Sequence, residues 1–455
     1  MHGEAISNAK SRIFKLLDEG SFIEFDELQD AGVIIGYGTI FSRPVCVISQ
    51  DGEFLSGALT KEGTDKLVKI IDMAVKNGVP LITFFDSIGA KIDEGTAVLA
   101  GLGKVFGKLA NASGVIPLIG VVSGSATGAM NFFVSFCDFV FMIDKTSSMF
   151  INSPQVMLAD SGIDISAEDV GGANMHFNKT GSCSFWCRDE AECNDKLKRL
   201  LGYLPDNNLA DTDIIDTDDL NRECPELLEE GVTASTVIKS ISDDGYFLEV
   251  SSGFASSIII GLSRIGGRVV GIVANNGKID GNGILKASRF VSFCDSFNIP
   301  LVTLIDSDGF LVSLKEEQDG LVRKCCKLLF SYADATVTKI NVIFGKAYGG
   351  ATLMMGTNAD VTLAWENANI CVVDPKVAVN ILYSEEILNS ESPVSFREEK
   401  LKEYLEKFVS PDFAEVDGFI DAIINPASTR KRIISSLDFF SGKREIKSIR
   451  RHGCV

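Results

Sequence analysis

The chain has 455 residues, enough for two domains of about 200 residues each, and its 45% hydrophobic content can fill both cores. Lys and Arg number 43 against 62 Asp and Glu, and the net charge of −19 disfavours nucleic acid and anionic membrane as partners. Eleven cysteines follow no regular spacing, and Met1-His2-Gly3-Glu4 is not the start of a secretory leader; together these predict reduced thiols and a cytoplasmic location. Cys183-x3-Cys187 lacks the spacing of a structural zinc site, and Cys454 stands too near the end for a prenylation box.

Residues 1–30 form a predicted lead-in, helical over 12–19 and then acidic. Residues 34–59 alternate apolar and polar, with turns at Gly36, Gly38 and Asp51-Gly52, the pattern of a β-meander. Leu67, Ile70, Ile71 and Ala74 recur at helical spacing and predict a helix over 64–76. A strand over 81–85, a turn over 86–95 and a helix over 96–110 follow. Residues 109–137 carry no charge but include Asn111, Pro117, Ser123, Gly124, Ser125 and Asn131. A buried strand over 116–122, a Gly/Ser turn and a helix from near Gly128 fit that run better than a membrane span does. Strands alternating with helices predict an α/β unit over 31–210.

The acidic, weakly periodic stretch 195–235 marks a boundary, with Asp206-Asn207-Asn208, Asp211-Thr212-Asp213 and Asp216-Thr217-Asp218-Asp219. A second unit over 236–440 repeats the plan. Its predicted strands are 258–264, 268–275, 301–305 and 337–344, and its helices 286–297 and 321–333, with another opening over 347–355. A Gly-rich turn occupies 277–283 and a longer turn 306–320. Residues 396–408 are charged and amphipathic, a surface helix. The tail 441–455, with Lys443, Arg444, Lys447, Arg450 and Arg451, is a basic solvated end.

The two units share an internal repeat. Pro80, Asp86 and Gly89 match Pro300, Asp306 and Gly309 at an offset of 220, and Gly128-Ala129 and Asp138 match Gly350-Ala351 and Asp360 at 222. Each copy places two small-residue turns after buried strands: Ser87-Ile88-Gly89-Ala90 and Ser125-Ala126-Thr127-Gly128-Ala129 in the first, Ser307-Asp308-Gly309-Phe310 and Ala347-Tyr348-Gly349-Gly350-Ala351 in the second. Small residues let a backbone approach a ligand closely, and the amides of a first helical turn have no partner within the helix. Such amides form an anion site, or an oxyanion hole in which each donor is worth about 3–4 kcal/mol of barrier. Close helix packing is the plainer use of the same residues.

Side-chain acid–base chemistry is scarce. The three histidines are His2, His176 and His452, and His176 reads more readily as structural than catalytic. There is no G-x-S-x-G elbow, no G-x-x-x-x-G-K-[ST] loop and no G-x-G-x-x-G after a strand, which disfavours a serine triad and nucleotide-triphosphate chemistry. Stabilising an enolate by backbone dipoles needs none of these.

Several ordered stretches resemble the carboxyltransferase subunits of biotin-dependent acyl-CoA carboxylases and their decarboxylase relatives. They are Asp86-Ser87-x-Gly89-Ala90-x-Ile92-x-Glu94-Gly95, Ser113-Gly114-Val115-Ile116-Pro117, Glu168-Asp169-Val170-Gly171-Gly172-Ala173, the run over 287–301, Lys346-Ala347-Tyr348-Gly349-Gly350-Ala351, and the run over 418–430. The resemblance covers about residues 30–440. It implies an α/β protein of two tandem crotonase-like (ββα superhelix) domains, the first binding acyl-CoA and the second biotin. It also implies a site shared between one subunit's first domain and its partner's second, commonly in a hexamer. By position, the Thr127-Gly128-Ala129 backbone would polarise the thioester carbonyl and the Gly349-Gly350-Ala351 backbone would hold the biotin ureido oxygen. Carboxybiotin would release CO2, its nitrogen would take the α-proton, and the enolate would capture CO2. Gly89, Ala90, Lys91, Gly309, Phe310, Tyr348 and Leu353 are the implied substrate-binding positions, and no metal is implied.

The chain departs from the family pattern at Ile88, Lys91, Thr127, Asp308 and Thr352-Leu353, which leaves the acyl group open. No Met-Lys-Met biotin-carrier motif is present, so a separate biotin carboxyl carrier protein and a biotin carboxylase subunit are the expected partners. In the decarboxylase alternative a membrane subunit replaces the carboxylase, without membrane insertion of this chain. A third alternative is a structural homologue with weak catalysis.

Overall fold

The computed structural model describes residues 7–27, 31–215, 218–446 and 453–454. His2, His452, Asp216, Thr217 and the tail cations Lys447, Arg450 and Arg451 lie outside the described residues. The chain divides into two compact units, Met1–Asp211 with Ser251–Phe254, and Thr212–Val250 with Ala255–Val455.

The first unit contains, in chain order, strands β1 (Ile23–Phe25), β2 (Val33–Ile40), β3 (Arg43–Gln50), β4 (Ala58–Leu59), β5 (Leu81–Ser87), β6 (Gly89–Ala90), β7 (Leu118–Thr127), β8 (Phe139–Ile143), β9 (Ser148–Phe150) and β10 (Phe185–Cys187). The main sheet runs β1-β2-β3-β5-β7-β8-β10, with β9 on the end of β7, and β4 pairs with β6 apart from it. Pairing is antiparallel from β1 to β3 and parallel beyond. The second unit repeats this with β11 (Phe247–Val250), β12 (Ile258–Ile265), β13 (Arg268–Asn275), β14 (Leu301–Ser307), β15 (Lys339–Tyr348), β16 (Val361–Trp365), β17 (Asn369–Cys371) and β18 (Ala422–Ile424), ordered β11-β12-β13-β14-β15-β16-β18 with β17 on β15.

Parallel strands are covered on both faces, so they read as continuous apolar runs. Leu81–Ser87 and Leu301–Ser307 have the same burial pattern, with only Asp86 and Asp306 partly exposed. Each is preceded by an amphipathic helix. Helix Lys61–Asn77 is capped by Thr60, whose hydroxyl accepts from Gly63 N–H, and it stops at Gly78 (φ 63°). Its buried stripe includes Leu67, Ile70, Ile71 and Ala74, the predicted core face. Its counterpart Gly281–Ser296 starts five residues before the predicted 286, because the Asp280 carboxylate caps Asn282 and Gly283 N–H and turns the Gly-rich segment helical. The lead-in helix spans Asn8–Leu16 rather than 12–19, capped by Ser7. The predicted surface helix is Pro393–Phe408, with no buried residue. No described helix is long and apolar enough to cross a membrane.

Two differences bear on function. Ser123-Gly124-Ser125, predicted as a turn, belongs to β7, which continues to Thr127. β15 likewise continues to Tyr348, into the segment predicted to open a helix. Both strands extend because their ends gain new parallel partners, β9 and β17.

The repeat register also differs from the sequence offset. Ser87 pairs with Ala126 and Ser307 with Ala347, an offset of 221 along β7 and β15. The positive-φ glycine that ends each strand is then Gly128 (φ 58°) in the first unit and Gly349 (φ 63°) in the second. The 222 spacing of Gly128 and Gly350 is a one-residue shift along the backbone. The spacing of 222 does hold at Asp138 and Asp360, whose carboxylates accept the first N–H of β7 and β15 at 2.8 Å in each case.

Candidate functional site

Each unit presents two turns at the carboxyl ends of its parallel strands, the edge where open α/β sheets bind ligands. The first turn follows β5 or β14. Ser87 Oγ accepts Gly89 N–H at 3.1 Å, and Ser307 Oγ accepts Gly309 N–H at 3.1 Å. Gly89 and Gly309 adopt φ 105° and 107°, a backbone open to glycine and strained for other residues. A Cβ at Gly309 would meet no atom within 4 Å, and one at Gly89 only the Thr127 carbonyl at 3.4 Å, so both turns leave room beside the main chain. The residues after them also match: Leu59 pairs with Ala90, and Ile279 bridges to Phe310.

The second turn joins β7 to helix Ala129–Phe136 through Gly128, and β15 directly to helix Gly349–Gly356. Gly128 combines φ 58° with ψ −124°, and a Cβ there would stand in open space. A Cβ at Gly349 would lie 2.9 Å from Val372 O, and one at Gly350 3.6 Å from the Phe310 ring. Gly128 N–H donates to Phe150 O at 3.4 Å, a long bond to the β9 edge. The Ala129 amide and those of Gly349, Gly350 and Ala351 lie in first helical turns, where no intrahelical acceptor exists. These are the backbone donors an oxyanion requires.

Two buried polar side chains lie three residues beyond the strand-ending glycines. Asn131 donates to Phe150 O at 2.6 Å while its Oδ1 has no partner, and Thr352 Oγ1 has none either. Asn131 and Thr352 are 6% and 4% exposed, so each holds an unused acceptor beneath its turn. The composition of residues 129–136 gives no signal for Asn131; only the 221 register pairs it with Thr352.

The remaining expected positions differ in availability. Lys91 is tied to Glu94 at 3.2 Å and Asp93 at 3.5 Å, and its hydrogen bond to Glu94 raises its pKa. Tyr348 is buried, which pushes its phenol up to about 12. Leu353 is 54% exposed on the helix that follows. Asp308, one of the departures from the family pattern, pairs from the first turn of the second unit with Lys346 near the end of β15 at 2.8 Å. His176 ties β9, the strand that pairs with the end of β7 in the first unit. Its Nε2 lies 2.7 Å from Met149 O on β9 and its Nδ1 2.8 Å from Thr180 Oγ1; since a carbonyl only accepts, Nε2 carries the proton. Burial lowers the His176 pKa.

Comparison with known proteins identifies the family and the fold. The chain is 37% identical to the propionyl-CoA carboxylase beta chain of Saccharopolyspora erythraea, over 100% of this chain and 91% of that one. It is 36% identical to the methylmalonyl-CoA decarboxylase subunit alpha of Veillonella parvula, over 100% and 94%. Among solved structures, transcarboxylase 12S, a hexamer determined with methylmalonyl-coenzyme A and methylmalonic acid bound, matches at 36% identity with a TM-score of 0.93, covering 98% of this chain and 91% of that chain. The fold is therefore two tandem crotonase-like domains, as the resemblance implied. With a carboxyl transferase domain matching residues 7–455, the chain belongs to the carboxyl transferase family.

Proposed function

We propose that the protein is the carboxyltransferase subunit of a biotin-dependent acyl-CoA carboxylase, moving a carboxyl group between carrier-borne biotin and an acyl-CoA of the propionyl or acetyl class. The observation that carries this reading is the duplicated strand–glycine–helix turn, Gly128-Ala129 and Gly349-Gly350-Ala351, with positive φ at both strand-ending glycines. The chemistry is transfer between two oxygen-stabilised anions, an enolate and a ureido group, and two similar backbone donor sites suit it. The Gly128-Ala129 turn polarises the thioester carbonyl and the Gly349-Gly350-Ala351 turn holds the ureido oxygen. Biotin, when bound, supplies the exchangeable carboxyl group and the base for the α-proton, which accounts for a site built with few side-chain acids and bases. The open space beside Gly89, Gly128 and Gly309 fits ligands that lie against the main chain. Thr352 and Leu353 line the helix after the second turn and bear on the acyl group.

The subunit works in an oligomer, a hexamer in this reading, with a partner subunit completing each site. A biotin carboxyl carrier protein and a biotin carboxylase are its partners. Similarity to a decarboxylase alpha subunit, at 36% identity, supports a second reading in which flux runs towards decarboxylation. The discriminating observation is the companion protein: an ATP-using biotin carboxylase, or a membrane subunit.

The test is transcarboxylation with free biotin. Purified oligomer is incubated with malonyl-CoA and with methylmalonyl-CoA, and loss of the carboxylate is followed. Biotin-dependent loss is expected, and its rate ratio gives the acyl preference. No loss with either thioester, or with glutaconyl-CoA next, overturns the reading in favour of a structural subunit.

A further inference from the structure

The most regular feature shared by the two units contains no residue of the proposed donor turns. Between Phe85 and Ser87 on β5, and between Ile305 and Ser307 on β14, one residue faces three on the neighbouring strand. The pairing jumps from Phe85–Val122 to Ser87–Ala126, and from Ile305–Ile343 to Ser307–Ala347. The single residue is an aspartate in both cases, Asp86 and Asp306, and the three opposite are Ser123-Gly124-Ser125 and Phe344-Gly345-Lys346.

Each carboxylate fills the bulge it faces. A Cβ on Gly124 would lie 2.1 Å from Asp86 Oδ1, and a Cβ on Gly345 would lie 2.4 Å from Asp306 Oδ1, so only glycine leaves room for the oxygen. Asp86 Oδ1 accepts the Ser125 N–H at 3.4 Å, and Asp306 Oδ1 accepts the Lys346 N–H at 2.8 Å. Behind each aspartate, an amide side chain from the end of the adjacent strand holds its main chain: Gln50 Oε1 accepts Asp86 N–H at 3.1 Å, and Asn275 Oδ1 accepts Asp306 N–H at 2.9 Å. In the first unit Arg12, on helix Asn8–Leu16, adds two donors to Asp86 Oδ2, each at 3.0 Å. The clamped amide lies three residues before Gly128 in one unit and three before Gly349 in the other. A bulge re-aims the residues that come after it on the strand. The carboxylate fixes how that bulge is folded.

We propose that Asp86 and Asp306 are paired positioning carboxylates, each locking a strand bulge so that the glycine turn three residues on presents its amides in one orientation. Asp86 serves the thioester turn and Asp306 the biotin turn. The assignment of each aspartate to a half-reaction rests on the function proposed above; the clamping of the turns does not.

Two measurements test it on the full-length oligomer. Amide hydrogen exchange reads the clamp without any activity. Asp86→Ala, which removes the acceptor, should speed exchange at least about tenfold in residues 125–131 and leave 346–352 unchanged, and Asp306→Ala should do the reverse. Gly124→Ala and Gly345→Ala, which push a methyl group against the same oxygens, should reproduce each pattern and stand in if an aspartate variant does not fold. Equal exchange in wild type and variants, or faster exchange spread over both turns by either change, overturns the proposal. Free-biotin transcarboxylation then assigns the half-sites. Asp86→Ala should lower kcat by about ten- to hundredfold with the KM for biotin unchanged, and Asp306→Ala should lower kcat/KM for biotin similarly with the KM for acyl-CoA unchanged. Variants that keep wild-type kcat and both KM values would remove the positioning role. An inactive wild type would instead bring down the function reading and leave the exchange result standing.

Discussion

Single residues set what each turn tolerates. Gly128 and Gly349 both have positive φ, but their surroundings differ: a methyl at Gly128 meets open space, whereas one at Gly349 lies 2.9 Å from Val372 O. Gly128→Ala should therefore cost only backbone strain, about 1–3 kcal/mol. Gly349→Ala should cost more, and both should abolish carboxyl transfer; urea unfolding beside the biotin assay checks the order. Lys286 provides a pH signature. Burial lowers it from its ordinary 10.5 to about 8, with Glu249 acting in the opposite direction. Between those two values the unfolded chain holds the proton more often than the native one, so stability rises with pH across that window and levels off above it. The gain relative to Lys286→Met should approach about 3 kcal/mol by pH 10.5, since one pKa unit is worth about 1.4 kcal/mol. Urea titrations of both proteins from pH 7 to 11 would show it, and a constant difference between them would contradict it.

At the level of elements, the second unit is closed by a buried knot. Arg430, on helix Thr429–Phe439, is fully buried; its guanidinium lies 2.7 Å from Asp243 and donates to Ile241 O at 2.7 Å. Asp243 in turn accepts Gly266 and Gly267 N–H at 2.9 and 2.7 Å, which fixes the tight turn between β12 and β13. Next to Arg430, the Thr429 hydroxyl receives the Trp365 indole N–H at 2.9 Å. Removing one partner of a buried ion pair strands the other, so Arg430→Met should destabilise by about 3–5 kcal/mol, measured by thermal or urea unfolding. Asp243→Asn should also destabilise, because both carboxylate oxygens accept turn N–H groups and the amide can supply only one of them, while Arg430 is left with the Asp218 carboxylate at 3.5 Å. Asp18 organises the corresponding turn in the first unit differently, accepting Phe41 and Ser42 N–H at 3.1 and 2.9 Å. The duplicated units thus share strand order and turns but not the ties that close them.

For the whole molecule, apolar surface is left uncovered. Helix Pro154–Ser161 has no buried residue, and Ile151, Val156, Leu158 and Ile163 around it are each at least half exposed. Singly exposed apolar residues are ordinary, but a cluster in one segment is a candidate contact surface. The shared site proposed above makes it the segment to test. Sedimentation with parallel assay should place all carboxyl transfer in the oligomer peak. Charge substitutions at Val156 and Leu158 should shift protein to smaller species and remove activity in proportion, while active monomers would contradict a shared site.

Local chemistry made much of this legible in the sequence. Pro80-Leu81 to Gly89 and Pro300-Leu301 to Gly309 announce a duplicated buried strand and turn, because parallel strands must be apolar and the turns after them need small residues. The helix over 64–76 was legible from its spacing, since an amphipathic stripe is a local property. The carboxyl transferase family was carried by ordered motifs over most of the chain. Features that depend on a strand's neighbour could not be read locally. Ser123-Gly124-Ser125 has the composition of a turn, yet β9 gives its end a parallel partner and makes it strand. The one-residue difference between the 221 and 222 registers, the placement of Asn131 against β9 after the Gly128 turn, and the filling of each bulge by Asp86 and Asp306 arise from hydrogen bonding between segments about 20–40 residues apart. Periodicity along one segment determines which face is buried; only the assembled sheet decides which residue stands opposite which.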